Sequence, residues 1–323
     1  MSRPGTLTPH TAGERHRTAG ERDRPAGTRH EGGRRRASSA LWALPPLLAL
    51  GLVFLYPLAL VVRQSFTQDE GGPPSTAPYA QVFAEASFRD ALGNTVLLAL
   101  GATAGCLLLG FALALVIAFV PFPGSRALGR FIDVFLAFPS FLITLALLFV
   151  YGTAGLANGL WTDATGAASG PFDFLRTPWG VLLAEITYFT PFVMRPLLAA
   201  FSQIETGQLE AAASLGARPA RVVRKVIWPE ALPSLAAGGA LVLVLTLNEF
   251  GIVLFTGAKD VVTLPVLVYT KAILDGDYTG ACVVAVVNIV LSLALYALYR
   301  TVAARAGGAR TPSTGGDEHR ARA

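Results

Sequence analysis

Six long apolar segments constrain this chain more than any other feature of its sequence. They lie at about residues 41–62, 95–120, 131–152, 179–201, 231–256 and 279–299. A helix of about 20 apolar residues crosses a hydrocarbon layer about 30 Å thick. Only 15% of the residues are charged, which is too few to cover a soluble domain with polar surface. The sequence therefore predicts an all-α integral membrane protein, with six transmembrane helices in a domain of residues 40–300.

Basic and acidic connections alternate along the chain. Nine arginines precede the first apolar segment, and the 121–130 and 202–230 connections are also basic. The connections 63–94, 153–178 and 257–278 are mixed or acidic. Because Arg and Lys concentrate on the cytoplasmic side of a membrane, we expect a multi-pass protein with both termini and the 202–230 loop in the cytoplasm. The last of the acidic connections is too charged to span, so we expect it to be partly embedded and shielded by protein.

The two tails have the composition of disordered chain. Residues 1–39 are rich in Arg, Gly, Thr and Pro, and residues 301–323 form the second tail. Segments with few large apolar side chains cannot bury enough surface to offset chain entropy, so we expect both tails to be disordered in the cytoplasm. A basic arm that binds nucleic acid is the alternative for the first tail. The orientation rule already explains its arginines, and no nucleic-acid partner is predicted.

No catalytic or metal-binding pattern is present in the sequence. The phosphate-binding loop GxxxxGK[ST], the nucleophile elbow GxSxG, the zinc-binding HExxH helix and the CxxC pair do not occur. All four histidines lie in the tails, and Cys106 and Cys282 lack metal-ligand spacing. We therefore predict no catalytic residue, no metal site and no cofactor in this chain, and any ATP would have to be held elsewhere.

Three ionisable residues inside the predicted spans are candidates for a transport pathway: Glu185, Arg195 and Glu249. At 1.5 Å per residue, both acids fall roughly 10 Å below the outer edge of the membrane. They could line an outward-facing cavity and attract a cation or an amine. Alternatively, one or both could pair with a base or hydrogen-bond a helix backbone. Arg195 lies about 15 Å deeper than Glu185, where it could meet an anionic group or neutralise an acid on another span.

Residues 205–233 are the one long polar interruption in the second half of the chain. Their pattern predicts two short helices with a bend between them. Gly216 is suited to a left-handed cap of the first helix, and Pro219 to the first position of the second. Pro229 lacks the N–H that would continue the second helix, so we expect that helix to end there. A polar helix-bend-helix between two spans indicates a docking element for a cytoplasmic partner.

This stretch resembles the conserved cytoplasmic loop of bacterial ABC-importer permeases. The pattern of that loop is EAA, three residues, Gly, nine residues and then I-x-L-P. The matching positions are Glu210, Ala211, Ala212, Gly216 and Pro229. At the two remaining positions this chain has Val226 and Trp228, which replace one apolar side chain by another.

The resemblance covers about residues 41–300 and implies a type I importer permease of the MetI-like fold in the plasma (inner) membrane. It implies pairing with a second permease, identical or a sister subunit. It also implies that the matching loop positions couple the spans to a cytoplasmic ABC ATPase dimer. That dimer would hold ATP and Mg²⁺, and an extracytoplasmic solute-binding protein would deliver the substrate.

The fifth predicted span carries a second resemblance. Asn248–Glu249–Phe250–Gly251 is similar to the E-F-G element of permeases for sulfate, molybdate, thiamine and related solutes. The longer run from Asn248 to Ser292 is most similar to permeases for 2-aminoethylphosphonate, a zwitterion that one acid and one base would suit. The resemblance implies a small phosphonate as the substrate, and we expect its pathway at Asn248 together with the ionisable residues Glu249, Glu185 and Arg195. Another small solute or anion (sulfate, molybdate, thiamine, iron or a polyamine) is the alternative, and a proton-coupled secondary transporter is a third interpretation.

Overall fold

The computed structural model describes residues 45–67, 73–259 and 261–307, without the side chains of Arg126, Asp133 and Phe135. The predicted tail 1–39 and the greater part of the predicted tail 301–323 lie outside these residues. The chain divides into two units, residues 1–56 and 57–323. In the first unit the described residues, 45–56, are helical and include a π-helical turn at Gly51–Leu55.

The second unit is helical in every regular element that the structure describes. Its helices are α1 (Tyr56–Gln64), α2 (Ala77–Ala84), α3 (Ala86–Phe119), α4 (Ser125–Phe135), α5 (Ser140–Tyr151), α6 (Leu156–Thr165), α7 (Pro178–Phe201), α8 (Thr206–Ser214), α9 (Pro219–Val222), α10 (Trp228–Leu247), α11 (Gly251–Thr256), α12 (Leu264–Tyr269) and α13 (Tyr278–Gly307). A short 3-10 helix, Phe174–Arg176, precedes α7, and π-helical turns follow α9 and α12 at Val223–Ile227 and Thr270–Leu274. The last helix continues beyond the predicted domain boundary at residue 300.

In the part of the chain that the structure describes, six helical segments are long and apolar enough to cross a membrane, as the sequence predicts. They are Pro45–Gln64, Ala86–Phe119, Ser140–Thr165, Pro178–Phe201, Pro219–Leu247 and Tyr278–Arg305. Their number is confirmed, but two of the predicted spans are not single helices.

The third predicted span, 131–152, is wrong at its start. Helix α4 ends at Phe135, and a new helix begins at Ser140. Pro139 has an extended conformation with ψ of 147° and serves as the N-cap of α5. The residue before a proline disfavours the α conformation, so the chain leaves the helix here and begins again after it.

The fifth predicted span, 231–256, is interrupted near its end. Helix α10 stops at Leu247 and α11 begins at Gly251. Asn248 is the C-cap of α10 and leaves the helical conformation, with φ of −111° and ψ of 11°. Residues 248–250 form a break inside the predicted span, and they include part of the E-F-G element.

Helices α3, α7 and α10 pack against one another at the centre of the second unit. Half of the apolar window of α7 is buried, compared with 11% of the window that covers α5 and α6. Small residues allow α3 and α7 to approach closely: a Cβ added to Gly105 would overlap the side chain of Ile186. Around this centre, α13 packs against α10 and α12, and α5 packs against α11.

An ion network around the buried Lys271 joins three segments at the end of the bundle where α3 begins. The Lys271 Nζ atom lies 3.0 Å from Glu85 Oε2 and 3.1 Å from Asp277 Oδ2, and the lysine side chain is 9% exposed. Asp277 also accepts the N–H of Gly280 at 2.8 Å and so caps α13. Burial lowers the pKa of Lys271, but hydrogen bonds and charges from the two carboxylates outweigh it and raise the pKa above its ordinary 10.5.

This network belongs to a segment that is mostly shielded by protein. In the residues after the fifth span, Val261, Leu264, Val266 and Leu267 are buried, and the N–H of Leu264 donates to Thr95 Oγ1 at 2.8 Å. The segment therefore packs on the bundle as an element of its own.

Candidate functional site

The loop between α7 and α10 has the bend that its sequence predicts. Gly216 has a left-handed backbone with φ of +71°. The N–H of Ala217 donates to the carbonyl of Ala212 at 3.0 Å, and the N–H of Gly216 donates to that of Ala213 at 2.9 Å. These two bonds form a Schellman motif, which ends α8 and turns the chain so that Pro219 opens α9.

Helix α8 and its cap are exposed on almost every side. None of residues 205–217 is buried. Glu210 and Ala211 are exposed, Ala212 is half-buried, and Leu215 is 87% exposed. An isolated solvated leucine at this level of exposure has no role in the packing of its own chain. Leu215 and the small residues Ala211 and Ala213 are therefore exposed at the end of α8, and their contact with a partner stays a prediction.

Pro229 does not end the second helix of the loop, contrary to the prediction. The chain continues from α9 through the π-helical turn Val223–Ile227 into α10, and Pro229 lies in the first turn of α10. In a π-helical turn each N–H bonds one residue further back than in an α-helix. The wider turn accommodates a proline that would otherwise clash with the preceding carbonyls.

Aromatic side chains hold both ends of the loop to the bundle. At the C-terminal end of the loop, Trp228 packs edge to face on Phe111 of α3, with ring centroids 5.2 Å apart. Phe201, where the loop begins, lies 6.2 Å from Phe111 and 5.4 Å from Phe119 between centroids. Both ends of the loop are therefore in contact with α3, through Phe201 at the end of α7 and Trp228 at the start of α10.

Asn248 and Glu249 close the two helix ends at the break in the fifth span. Asn248 Nδ2 donates to the carbonyl of Val244 in the last turn of α10 at 2.8 Å. Glu249 Oε1 accepts the N–H of Ile252 at 2.8 Å and the hydroxyl of Ser140 at 3.0 Å. Each side chain satisfies backbone groups that a helix end leaves free. For Glu249, this matches the alternative in which the acid hydrogen-bonds a helix backbone.

Glu185 lies inside α7 and is 1% exposed. Its Oε2 atom has no hydrogen-bond partner among the residues that the structure describes. Glu249 contributes to the electrostatic environment of this carboxyl. A shared role of the two acids in a pathway stays a prediction. Uncompensated carboxyl groups are costly in such a place, which makes this pair a candidate for ligand or proton contact.

Arg195 lies elsewhere on α7. It is exposed and lines a depression of about 490 Å³ beside Gly129 and Ile132, on the side of α4. Ten residues of helix, about 15 Å, separate it from Glu185. The arginine and the acid pair therefore do not form one cluster in this conformation.

Two residues that complete the acid site were not predicted from the sequence. Ser140 donates to Glu249 across 109 residues of chain, and Asn288 Nδ2 donates to Asn248 Oδ1 at 3.2 Å from α13. Serine and asparagine in a span are polar signals, but neither their sequence positions nor their spacing indicates which partner they meet.

Comparisons with known proteins give a consistent result. The family described as binding-protein-dependent transport system inner membrane component matches residues 106–307. PhnU of Salmonella typhimurium, named a 2-aminoethylphosphonate transport system permease protein, is 55% identical over 267 residues, which cover 83% of this chain and 93% of that protein. The sulfate transport system permease protein cysT of Prototheca wickerhamii is 32% identical over 218 residues, 66% of this chain and 82% of that protein.

A solved structure agrees with the fold. One chain in the crystal structure of a bacterial alginate ABC transporter, in complex with an alginate pentasaccharide-bound periplasmic protein, has a TM-score of 0.73 at 18% identity. The similarity covers 87% of this chain and 99% of that chain.

Proposed function

This chain belongs to the family of binding-protein-dependent transport system inner membrane components, and we propose that its spans form the pathway by which an ABC importer takes up 2-aminoethylphosphonate. The predicted fold and the role as an importer permease in the inner membrane are confirmed by the family and by the structural match. The observation that supports this choice of substrate is the 55% identity to PhnU over 93% of that protein.

The proposal sets the loop end of the bundle in the cytoplasm, with both chain termini on the same side. The exposed bases near that end support this orientation, since Arg218, Arg221, Arg224 and Lys225 all lie in the loop or the turn that follows it. The end of the bundle with the Lys271 network would then lie on the extracytoplasmic side of the membrane, where a solute-binding protein would dock.

The loop is the proposed contact with a separate ATPase dimer that holds ATP and Mg²⁺. Glu210 is exposed and has no ion pair or hydrogen bond among the described residues, so a base on the partner could pair with it. Leu215 offers an apolar contact beside the small residues Ala211 and Ala212. Closure of the ATPase dimer would move α8 as a unit, and the aromatic contacts of Phe201 and Trp228 would carry that movement to the spans. A second permease, identical or a sister subunit, would complete the pathway.

Glu185 and Glu249 are the proposed contacts for the substrate amine. 2-Aminoethylphosphonate carries a positive ammonium and an anionic phosphonate, so the carboxylates suit its amine. Arg195 lies about 15 Å further along α7, so it would meet the phosphonate at a different stage of passage. Because Glu185 is 1% exposed in this conformation, the helices packed around it must move apart before the amine can reach it. The break at residues 248–250 gives α11 the freedom to move without bending α10.

Uptake of labelled 2-aminoethylphosphonate tests this function, in proteoliposomes that contain the permease with its ATPase and binding protein. Glu249→Gln keeps an oxygen that can accept the Ile252 N–H but removes the charge. We expect the initial uptake rate to fall about tenfold, since a hydrogen bond to a charged group contributes roughly 1.5–3 kcal/mol. Glu230→Gln, an exposed acid in the first turn of α10, is the matched control and should transport normally.

Two outcomes would contradict different parts of the proposal. If both Glu249→Gln and Glu185→Gln take up 2-aminoethylphosphonate at the full rate, the two acids are not part of the pathway. The proposed substrate would be unaffected by that result. Uptake of sulfate and not of 2-aminoethylphosphonate by the wild-type complex would show that the proposed substrate is wrong.

A further inference from the structure

An apolar groove runs along the outside of the bundle next to the loop. Its volume is about 280 Å³, and it lies between α3, α10 and α13. The lining side chains are Leu107, Leu108, Phe111, Trp228, Leu232, Leu235, Ala236, Tyr299, Val302 and Ala303. From Trp228 to Ala236 the groove follows eight residues of α10, about 12 Å. The groove shares Phe111 and Trp228 with the contact that anchors the end of the loop, and it contains neither acid of the candidate site.

The lining of the groove has few groups that could hydrogen-bond a polar ligand. The one hydroxyl in its lining, that of Tyr299, donates to the carbonyl of Leu235 at 3.1 Å. The indole of Trp228 is 42% exposed, and Leu108 is 75% exposed. An apolar groove on the lipid-facing side of a spanning bundle is filled by an acyl chain or by another apolar helix.

Basic residues are concentrated at one end of the groove. Arg224 and Lys225 lie four and three residues before Trp228, about one helical turn, and both are exposed. On α13, Arg305 follows Val302 by three residues and is also exposed, so it lies on the same side of that helix. The nearest acid on α10, Glu230, lies two residues from both Trp228 and Leu232, which turns it to the opposite face of the helix.

We propose that this groove binds one anionic phospholipid, with an acyl chain against the apolar lining and the phosphate between Arg224, Lys225 and Arg305. Basic residues beside a membrane surface attract anionic lipid headgroups by about 1 kcal/mol each. Trp228 marks the depth at which the headgroup region meets the acyl chains, since tryptophan concentrates at that interface. A lipid held here also packs against Phe111 and Trp228, the contacts that anchor the exit of the loop.

The test uses quenching of tryptophan fluorescence by phospholipids with brominated acyl chains. The full-length permease is purified in detergent with the ATPase and titrated with brominated phosphatidylglycerol or brominated phosphatidylcholine. We expect quenching at about tenfold lower mole fraction for phosphatidylglycerol. The Trp228→Phe variant should lose the saturable part of that quenching, which assigns the signal to this tryptophan among the four in the chain.

Two pairs of variants separate the groove from general lipid contact. Ala236→Phe fills the groove, whereas Ala237→Phe adds the same ring to an exposed neighbouring position outside it. Arg224→Gln with Lys225→Gln removes two rim bases, and Arg218→Gln with Arg221→Gln removes two bases from the loop at a distance from the groove. The preference for phosphatidylglycerol should fall about tenfold in the first member of each pair and persist in the second.

Equal quenching by the two lipids in the wild type would overturn the proposal, because it would mean ordinary contact with surrounding lipid. Disulfide crosslinking of Leu108→Cys between two permeases, together with the absence of saturable quenching by either lipid, would assign the groove to a neighbouring permease and also overturn it. A fold check accompanies each variant, since a variant that no longer binds the ATPase is replaced by a smaller change, Ala236→Leu in place of Ala236→Phe.

Discussion

The two ends of the helix bundle hold their exposed segments in different ways. At the loop end, none of residues 205–217 is buried, and the shape of α8 depends on its own cap at Gly216. At the opposite end, the segment after the fifth span buries Leu264 and Leu267 and sets Lys271 between two carboxylates. One segment is left exposed by its own chain, and the other is packed within it.

This difference matches two mechanical requirements of a coupled transporter. A surface that must bind and follow an ATPase needs few contacts with its own bundle except where it joins the spans. A segment that holds the N-terminal ends of α3 and α13 in place needs contacts that do not depend on a partner. Changes at the far end should therefore affect stability, and changes in the loop should affect coupling.

The largest expected effect on stability is that of Lys271→Met. The change removes the cation that compensates Glu85 and Asp277 and leaves both carboxylates beside apolar packing. Breaking a buried pair costs roughly 3–5 kcal/mol, but these carboxylates are 37% and 44% exposed, so water reduces the expected loss to about 2 kcal/mol. Reversible denaturation in mixed detergent micelles measures it.

Lys259→Met is the control for that change, since Lys259 is exposed on the same connection. It should shift the free energy of unfolding by less than about 0.5 kcal/mol. An equal loss in the two variants would show that the ion network contributes nothing particular to the far end.

The stabilisation from Lys271 should also depend on pH. Its pKa in the folded protein is above the ordinary 10.5, so the contribution of the charged lysine is fully present below about pH 10.5. It is lost as the pH rises through the folded pKa. The difference in free energy of unfolding between wild type and Lys271→Met should therefore be constant between about pH 8 and 10 and shrink above 10.5. A difference that shrinks on acidification within that range would contradict this assignment.

Leu215→Gln tests whether a change at the loop end affects coupling without affecting stability. The side chain is 87% exposed, so the free energy of unfolding should change by less than about 0.5 kcal/mol. If Leu215 contacts the ATPase, substrate-stimulated ATP hydrolysis should fall about tenfold, the effect of losing roughly 1.4 kcal/mol at an interface. Leu274→Gln changes a leucine that is 66% exposed at the opposite end and should leave hydrolysis unchanged. Full stimulation in Leu215→Gln would contradict the docking surface.

Features set by neighbouring residues could be predicted from the sequence. Segment length and apolar composition predicted six spans, and glycine at 216 predicted the left-handed cap. The failures arose where two local signals compete. Pro229 was expected to end a helix, but a π-helical turn before it accommodates the ring. Two spans are interrupted at Pro139 and Asn248, although their apolar composition predicted that each is continuous.

The candidate site was predictable only in part, because its contacts join distant parts of the chain. Glu185 and Glu249 could be placed at one depth by counting residues along two spans. The contact of Glu249 with Ser140 joins residues 109 apart, and that of Lys271 with Glu85 joins residues 186 apart. No periodicity in a single sequence reports such pairs, since they depend on how the helices pack.

The smallest of the expected effects concerns the cap that shapes the loop. Gly216 has φ of +71°, and a Cβ added there would meet nothing within 4 Å. Gly216→Ala therefore introduces backbone strain without a clash, at a cost of about 1 kcal/mol. Gly207→Ala is the matched control: Gly207 also has open space around it but lies inside α8, where alanine favours the helix by up to about 1 kcal/mol.

Because none of residues 205–217 is buried, this strain should stay local. Amide hydrogen exchange should become about fivefold faster in α8 of Gly216→Ala, which corresponds to about 1 kcal/mol of local opening, and exchange in α3, α7 and α10 should not change. Gly207→Ala should slow exchange in α8. If the first variant instead accelerates exchange throughout the central helices, the loop is part of the same cooperative unit as the bundle, and the contrast between the two ends does not hold.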